Sequence, residues 1–192
     1  MENNKSEKPY FVHQLADIQT ENIGENTRIW QFVVVLKGAK IGKNCNLNCH
    51  TFIENDVVLG DGVTIKSGVY VWDGISIGNN VFIGPSVTFV NNPYPKSMQY
   101  PDKHIGATIE NNVSIGANAT IMGNITICEG AMIGAASMIT KNVPAYTLWY
   151  GNPAKQQGYV TENGTVLSLS LIDKKTGNQY KKNASGKPEL VI

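Results

Sequence analysis

The sequence predicts an all-β protein: a parallel β-helix of hexapeptide repeats with one extruded loop and a small C-terminal β tail. Three observations carry that expectation. A large apolar residue recurs at every sixth position, glycines recur at every eighteenth, and the repeat fails once, for twenty residues, before it resumes. A helix needs an apolar period of 3.6 and a plain strand a period of 2, so a period of six asks for short strands joined by regular corners.

The repeat spans residues 23–144. Its large column reads Ile23, Ile29, Val35, Ile41, Leu47, Ile53, Leu59, Ile65, Val71, Ile77, Ile83 and Phe89, then Ile109, Ile115, Ile121, Ile127, Ile133 and Ile139. Four positions after each come smaller or β-branched residues such as Thr27, Val33, Ala39, Cys45 and Thr51, suited to a narrow interior. Gly24, Gly42, Gly60 and Gly78 follow the large column at intervals of eighteen, with Gly116 and Gly134 continuing it, so three hexapeptides make one coil. Two residues beyond stand Asn26, Asn44, Gly62, Asn80 and Asn118, residue types that accept left-handed backbone angles at least cost. A generic β-sandwich would show turns every 8–12 residues and no fixed column.

Residues 1–22 are expected to form an irregular starting coil. The stretch 90–108 holds three prolines, two tyrosines, Lys96, Lys103 and His104, and it reads as an extruded loop. Loops of this length between rigid elements are usually functional, which makes it the first place to look for a binding site. Residues 145–192 are expected to form a cap and β tail, with a hairpin signal at Asn163-Gly164 and a weaker turn signal at Thr176-Gly177-Asn178. Such a tail covers the strand edges that an open β-helix end exposes.

Composition narrows the partners. With 192 residues, 42% of them hydrophobic, and a net charge of +1, the chain can bury a core but offers no electrostatic footprint for nucleic acid or an anionic membrane. No apolar run approaches the roughly 20 residues of a spanning helix, and a cytoplasmic location is the expectation. Cys45, Cys49 and Cys128 form no CxxC and read as free thiols. His13, His50 and His104 include no close pair, which argues against a three-histidine zinc centre, and no metal is expected.

Five segments carry a family resemblance: TRIWQFVVV at 27–35, FIENDVVLGDGVTIKSGVYVWDG at 52–74, FIGPSVTFVNNPYPKS at 82–97, SIGANATI at 114–121 and YGNPAK at 150–155. With them the chain resembles the left-handed β-helix acyltransferases, and within these the nucleotide-sugar 3-N-acetyltransferases of bacterial surface-polysaccharide (lipopolysaccharide, O-antigen) synthesis. The resemblance implies the left-handed sense of the coil, acetyl-CoA as donor, a homotrimer, and active sites in grooves between neighbouring prisms. It implies as acceptor the 3-amino group of a dTDP-3-amino-3,6-dideoxyhexose or of a UDP-2-acetamido-3-amino-2,3-dideoxyglucuronate. VYVWDG and NPYPKS resemble the dTDP branch, which is favoured; the tail beginning GYVTENG resembles the UDP branch.

Spacing turns into neighbourhood, because residues eighteen apart lie one coil above another, about 4.7–4.9 Å away. Asn55, Asp73 and Asn91 form such a stack, pointing outward at a corner, and Asn91 opens the loop. A ladder of this kind can equally be solvated or brace a turn. The family motif places a substrate-contacting Asn at Asn91, which is assigned to orient the acceptor, with Asp73 as helper. Galactoside and serine acetyltransferases carry a loop His where this chain reads Val90-Asn91-Asn92-Pro93. Related sugar N-acetyltransferases often carry an acidic residue at the position of Asn92, an amide here that cannot take a proton. His50 is therefore the base candidate, against the plainer reading of an exposed His, and the resemblance also permits transfer with no protein base.

For the nucleotide sugar the candidates are Arg28, Trp72, Asn92, Tyr94, Lys96, Tyr100 and His104, with Lys103 and Trp30 beside them. Loop lysines are also commonly just solubilising. For acetyl-CoA they are Gly116, Ala117, Asn118, Gly134, Ala135 and Ala136 along the backbone, with Lys141 and Lys155 as phosphate partners. The competing readings are an O-acetyltransferase acting on a small sugar and a non-catalytic assembly scaffold. The first needs a base more acutely than an amine acceptor does, and the second leaves the aromatic-bearing loop without a purpose.

Overall fold

The computed structural model describes residues 9–99 and 101–191; Tyr100, a predicted nucleotide-binding residue, lies outside them. Strands mostly of two residues stack into three sheets of ten, seven and five strands, parallel except at the C-terminal end of the largest, and no helix occurs among the described residues. The register repeats every coil: Ile29 pairs with Leu47, Val35 with Ile53, and Ile41 with Leu59. In each strand the second residue turns inward. Ile29, Leu47, Ile53, Ile65, Ile83 and Ile115 are fully buried, with Val33, Val57, Val63 and Val69 between them. Each such aliphatic side chain contributes about 1.5–3 kcal/mol of burial, so the core is a column without a centre. The two buried threonines of the small set are satisfied locally. The Thr27 hydroxyl donates to Gly42 O at 2.8 Å and accepts from Cys45 N at 3.0 Å, and the Thr51 hydroxyl donates to Asn48 O at 2.7 Å.

Left-handed backbone angles turn the corners as the asparagine column predicts. Between the five- and ten-stranded sheets φ is 60° at Asn26, 55° at Asn44, 69° at Gly62 and 54° at Asn80. The column then continues through Asn112 and Gly130, not through Asn118. Asn118 turns the next corner, between the ten- and seven-stranded sheets, together with Phe32, His50, Gly68, Ser86 and Ala136. Gly116 and Gly134 likewise stack under Gly84 at that corner. The reason is the length of the loop. Ile77 pairs with Leu59 on one side and with Ile109 on the other, where an uninterrupted coil would have brought Pro95, so the excursion shifts every later column. Close stacking, rather than φ, requires glycine at Gly116, because a Cβ there would lie 2.6 Å from Ala135 N.

At the N-terminal end, where an irregular start is expected, Phe11–Val12 and Asp17–Ile18 add two more rungs. Val12 pairs with Ile29 and Ile18 with Val35, each one position short of the regular coil spacing. The missing position falls between Ile18 and Ile23, and that phase slip hides these rungs from a strict count by sixes.

At the other end Thr147–Gly151 adds the last parallel strand. Ala154–Val160 returns antiparallel to it, and Val166–Leu167 pairs across the Asn163-Gly164 turn. Trp149, 7% exposed, closes the end of the core, and Tyr180–Lys182 with Pro188–Leu190 forms a separate hairpin.

Candidate active site

The loop leaves after Thr88–Phe89 at the corner between the seven- and five-stranded sheets and rejoins the coil at Thr108–Ile109. Its two stems meet where Ile105 N donates to Asn91 O at 3.3 Å. Beyond the stems the loop stands in solvent, with Tyr94 at 90% and Met98 at 83% exposure, and Lys96 and Lys103 exposed as well. Asn92 Oδ1 accepts from Tyr94 N at 3.1 Å, so its amide shapes the loop's first turn.

The Asn55, Asp73, Asn91 stack exists, and its hydrogen bonds divide the labour among its members. Asp73 Oδ1 accepts from Asp56 N at 2.9 Å, and Asp73 N donates to Glu54 Oε2 at 2.6 Å. Asp56 Oδ1 in turn accepts from Gly74 N at 2.7 Å. An equivalent brace runs up the corner between the five- and ten-stranded sheets, where Asp61 Oδ1 accepts from Lys43 N and Asn79 Oδ1 from Asp61 N, both at 2.8 Å. The Asp73 carboxylate thus stitches one coil to the next. Asn91 differs: its Nδ2 donates to the Asp73 carbonyl oxygen at 3.0 Å, and its side-chain carbonyl Oδ1 has no donor among the described residues. Glu54 and Asp56 were missed by sequence reasoning, although they stand eighteen positions before Trp72 and Gly74.

His104 joins this cluster on the returning stem. Its backbone carbonyl lies over Gly74, where a Cβ would come within 2.8 Å of it, and its Nδ1 is buried with no hydrogen-bond partner among the described residues. Asp73, Asn91 and His104 are therefore brought together.

Trp72 is next to them and belongs to an aromatic group on the outer face of the seven-stranded sheet, with ring centroids 5.6 Å from Phe52 and 5.7 Å from Tyr70. His50 occupies the opposite edge of that sheet, stacked on Phe32 at 5.1 Å and 17°. A shallow depression of ≈ 350 Å³ lies between the two edges, over Phe52 and Tyr70. Within one chain His50 is not brought to Asn91. Arg28 is not either: it faces out from the ten-stranded sheet, beside Phe11 and Asn46.

The small residues form a second edge. Asn118 N donates to Pro85 O at 3.0 Å and Ala136 N to Ala117 O at 2.8 Å, so three corners stack with only small side chains outward. Gly116, Ala117 and Asn118 thus lie directly beneath Gly134, Ala135 and Ala136, at the corner between the ten- and seven-stranded sheets. Lys155, paired with Tyr150, is at the end of this edge. Lys141 is not, since it follows Met138–Ile139 on the far side of the seven-stranded sheet, its ammonium 5.3 Å from the Trp149 ring centroid. Burial pushes the Cys45 and Cys128 thiols up, which leaves neither poised as a thiolate nucleophile. No cluster of three metal-ligating side chains occurs among the described residues.

An edge of backbone amides and small residues on one side of the seven-stranded sheet, and a loop that offers hydrogen-bond acceptors on the other, suit the positioning of two substrates, and the coil that carries them is that of a hexapeptide-repeat transferase. The family described as bacterial transferase hexapeptide (six repeats) matches residues 22–55, 56–91 and 106–141, and the chain belongs to it. The residues skipped between the last two matches, 92–105, are the extruded loop. A dTDP-3-amino-3,6-dideoxy-alpha-D-galactopyranose 3-N-acetyltransferase of Aneurinibacillus thermoaerophilus is 46% identical over 92% of this chain and 93% of its own. Among solved structures, a hexapeptide-repeat acetyltransferase of Vibrio cholerae complexed with acetyl coenzyme A is 28% identical with TM-score 0.54, covering 64% of this chain and 70% of its own. A hexapeptide transferase family protein of Anaplasma phagocytophilum is 26% identical with TM-score 0.53, covering 80% and 81%.

Proposed function

We propose that the protein transfers the acetyl group of acetyl-CoA to the 3-amino group of a nucleotide-linked sugar, a dTDP-3-amino-3,6-dideoxyhexose. The observation that carries this is the 46% identity, over nearly the whole of both chains, to an enzyme of that specificity. The loop corner agrees with it. With Nδ2 held by the Asp73 carbonyl, Asn91 Oδ1 is the atom of the amide left to accept from an amine N–H, and the amine's lone pair is left to attack. Attack forms the C–N bond at the thioester carbonyl, the C–S bond breaks, and the proton leaving nitrogen passes to the departing thiolate. No protein base is required, which suits an Asn at position 92. Positioning then supplies most of the acceleration, of which effective molarity accounts for about 7–11 kcal/mol.

The donor edge at Ala117 and Ala136 and the acceptor corner at Asn91 lie on opposite edges of the seven-stranded sheet. In this reading three chains assemble so that one chain's loop meets its neighbour's small-residue edge, and the aromatic face over Phe52 and Tyr70 is covered between them. The protein then works in the cytoplasm, in surface-polysaccharide synthesis.

Incubation with acetyl-CoA and a panel of dTDP- and UDP-linked 3-amino sugars, followed by thiol release, tests the proposal. Release with the dTDP sugars is expected. Release only with a UDP-linked 3-amino uronate moves the acceptor to that branch, and no release with any amino sugar leaves the O-acetyl or scaffold reading. His50→Asn should keep turnover if positioning alone operates, whereas a large loss of kcat would make His50 of a neighbouring chain the base.

A further inference from the structure

The peptide that holds Asn91 is itself held from behind. Asn91 Nδ2 donates to the Asp73 carbonyl at 3.0 Å, and the N–H of the same peptide unit, carried by Gly74, donates to Asp56 Oδ1 at 2.7 Å. A carboxylate on the coil before and the amide that opens the loop thus grip opposite ends of one peptide plane. The hydrogen bonds of Asp56 run to Asp73 and Gly74, and none runs to Asn91 among the described residues.

This peptide departs from the pattern of the other left-handed corners. Asn44 N, Gly62 N and Asn80 N, each at a positive φ, donate to the backbone carbonyls of Glu25, Lys43 and Asp61 one coil before, at 2.8, 2.8 and 2.7 Å. At Gly74, with φ 86°, the corresponding carbonyl is that of Asn55, and it is turned the other way, over Gly38, where a Cβ would collide with it. The Asp56 carboxylate takes its place. The two coils before turn this corner at Gly38 and Asp56 without a positive φ. Ile75 N donates to Trp72 O at 3.3 Å, so residues 72–75 close as a turn whose third residue alone has a positive φ, the pattern of type II. A type I turn keeps the same ends and turns the central peptide over.

That alternative would reverse the Asn91 amide. With the Asp73–Gly74 peptide turned over, its N–H would take the place of its carbonyl, and Asn91 would answer with Oδ1, which leaves Nδ2 for the acceptor. An N–H directed at the amine occupies the lone pair that has to attack the thioester, so an acceptor held in this way binds without reacting. The Asp56 carboxylate opposes the rotation, because its charge-assisted bond to the Gly74 N–H would be lost. The same bond draws electron density toward the carbonyl that Asn91 Nδ2 meets.

We infer that Asp56 is a positioning residue of the transfer reaction: by fixing the Asp73–Gly74 peptide from its N–H side, it makes Asn91 present Oδ1, and not Nδ2, to the acceptor amine. The inference rests on Asn91 meeting the amine in the reading above and adds the group that sets its orientation.

Thiol release at saturating acetyl-CoA with varied dTDP-3-amino-3,6-dideoxyhexose, beside a melting curve for each variant, tests it in a cycle of Asp56→Ala, Asn91→Ala and the double variant. Asp56→Ala should lower kcat about tenfold with the sugar KM within about twofold of the parent, because a reversed amide still binds the acceptor. Adding it to Asn91→Ala should lower kcat/KM no further, since a residue that acts through another has nothing left to act on. Asp56→Asn keeps a neutral acceptor for the Gly74 N–H and should fall about threefold below the parent; it takes the place of Asp56→Ala in the cycle if that variant does not fold. Asp61→Ala removes the equivalent brace at the other corner and should lower Tm while leaving kcat unchanged. The parent's kcat in the Asp56 variant, a further loss on combining it with Asn91→Ala, or a raised sugar KM with kcat intact reduces Asp56 to a brace and overturns the inference. An Asn91→Ala variant as active as the parent removes the acceptor contact and the inference together, whereas an impaired Asn91→Ala beside an unimpaired Asp56 variant removes the inference alone.

Discussion

Replacing Asn91 by Ala separates a brace from a substrate contact, because the two roles predict different sizes of effect in different measurements. Among the described residues the side chain makes one hydrogen bond, Nδ2 to the Asp73 carbonyl at 3.0 Å, in a half-buried corner. A neutral bond of this kind contributes a net ~1 kcal/mol, and its loss should lower Tm by about 2–4 °C in a domain of this size. If bracing were all that Asn91 did, turnover measured well below the transition would be unchanged. As the group whose Oδ1 accepts from the acceptor amine, its removal should lower kcat/KM at least tenfold, about 1.4 kcal/mol of barrier, beyond anything the lost stability explains. Asn91→Asp supplies the second arm. It keeps an acceptor oxygen toward the substrate but turns an oxygen instead of an N–H toward the Asp73 carbonyl, so it should cost more stability than Ala while recovering part of the acceptor contact if the stem holds. The assay is thiol release at saturating acetyl-CoA with varied amino sugar, alongside a melting curve for each variant. Full activity in Asn91→Ala with a lowered Tm would refute the assignment and leave the whole ladder structural.

Three further outcomes follow from the geometry. Ile115→Ala, at a fully buried rung, should cost about 2–5 kcal/mol, read as a shifted urea midpoint, and an unchanged midpoint would mean the interior repacks as a fluid. The Lys175 amide and the Thr176 hydroxyl hold the Asp173 carboxyl below its ordinary value, so its contribution to the tail is present above the unfolded pKa and disappears as pH falls through the folded one; amide exchange at residues 173–179 should accelerate in that acid range, and Asp173→Ala should abolish the pH dependence. If the site is shared between chains, co-refolding Asn91→Ala with Ala117→Arg, each inactive alone, should restore measurable thiol release, and a mixture as inactive as its parts would put both groups in one chain's site.

The coil was legible because its physics is periodic. One inward side chain per rung makes Ile29, Leu47 and Ile65 identical in role, and identical roles leave identical spacing. Where spacing failed, a length had changed. The missing position before Ile23 concealed two rungs, and the extra length of the loop joined Asn118 to a column it does not belong to. The placement of the candidate residues was legible to the same extent. Stacking put Asp73 beside Asn91, and both are where the spacing places them. Which atom of each faces its neighbour was not, since that depends on backbone direction at the corner: the Asp73 carboxylate turns back to Asp56 while the Asn91 amide turns to the Asp73 carbonyl. Lys141 failed as a companion of Gly134 for a related reason, because the short run between them carries the chain across a whole sheet to the next corner.

The two edges of the seven-stranded sheet face different constraints. The donor edge is built from the coil itself: a Cβ at Gly84 would lie 2.7 Å from Ala117 N, and one at Gly116 2.6 Å from Ala135 N, so side chains there are limited by the distance between coils. At the acceptor corner the coils pack as closely, since a Cβ at Gly74 would lie 2.8 Å from His104 O and one at Gly106 would collide with Gly74 O, but the residues between the stems leave the coil. The stem bond from Ile105 N to Asn91 O closes the excursion at its root, and above it Val90 N still donates to Ile121 O at 2.9 Å as an uninterrupted coil would. The loop can therefore change length or sequence without disturbing a rung. In the proposed reading such a scaffold holds the arm of a common donor in a fixed groove while the acceptor is met by Asn91 and residues 92–104, so exchange of the 92–104 segment between relatives should move acceptor choice and leave donor affinity in place.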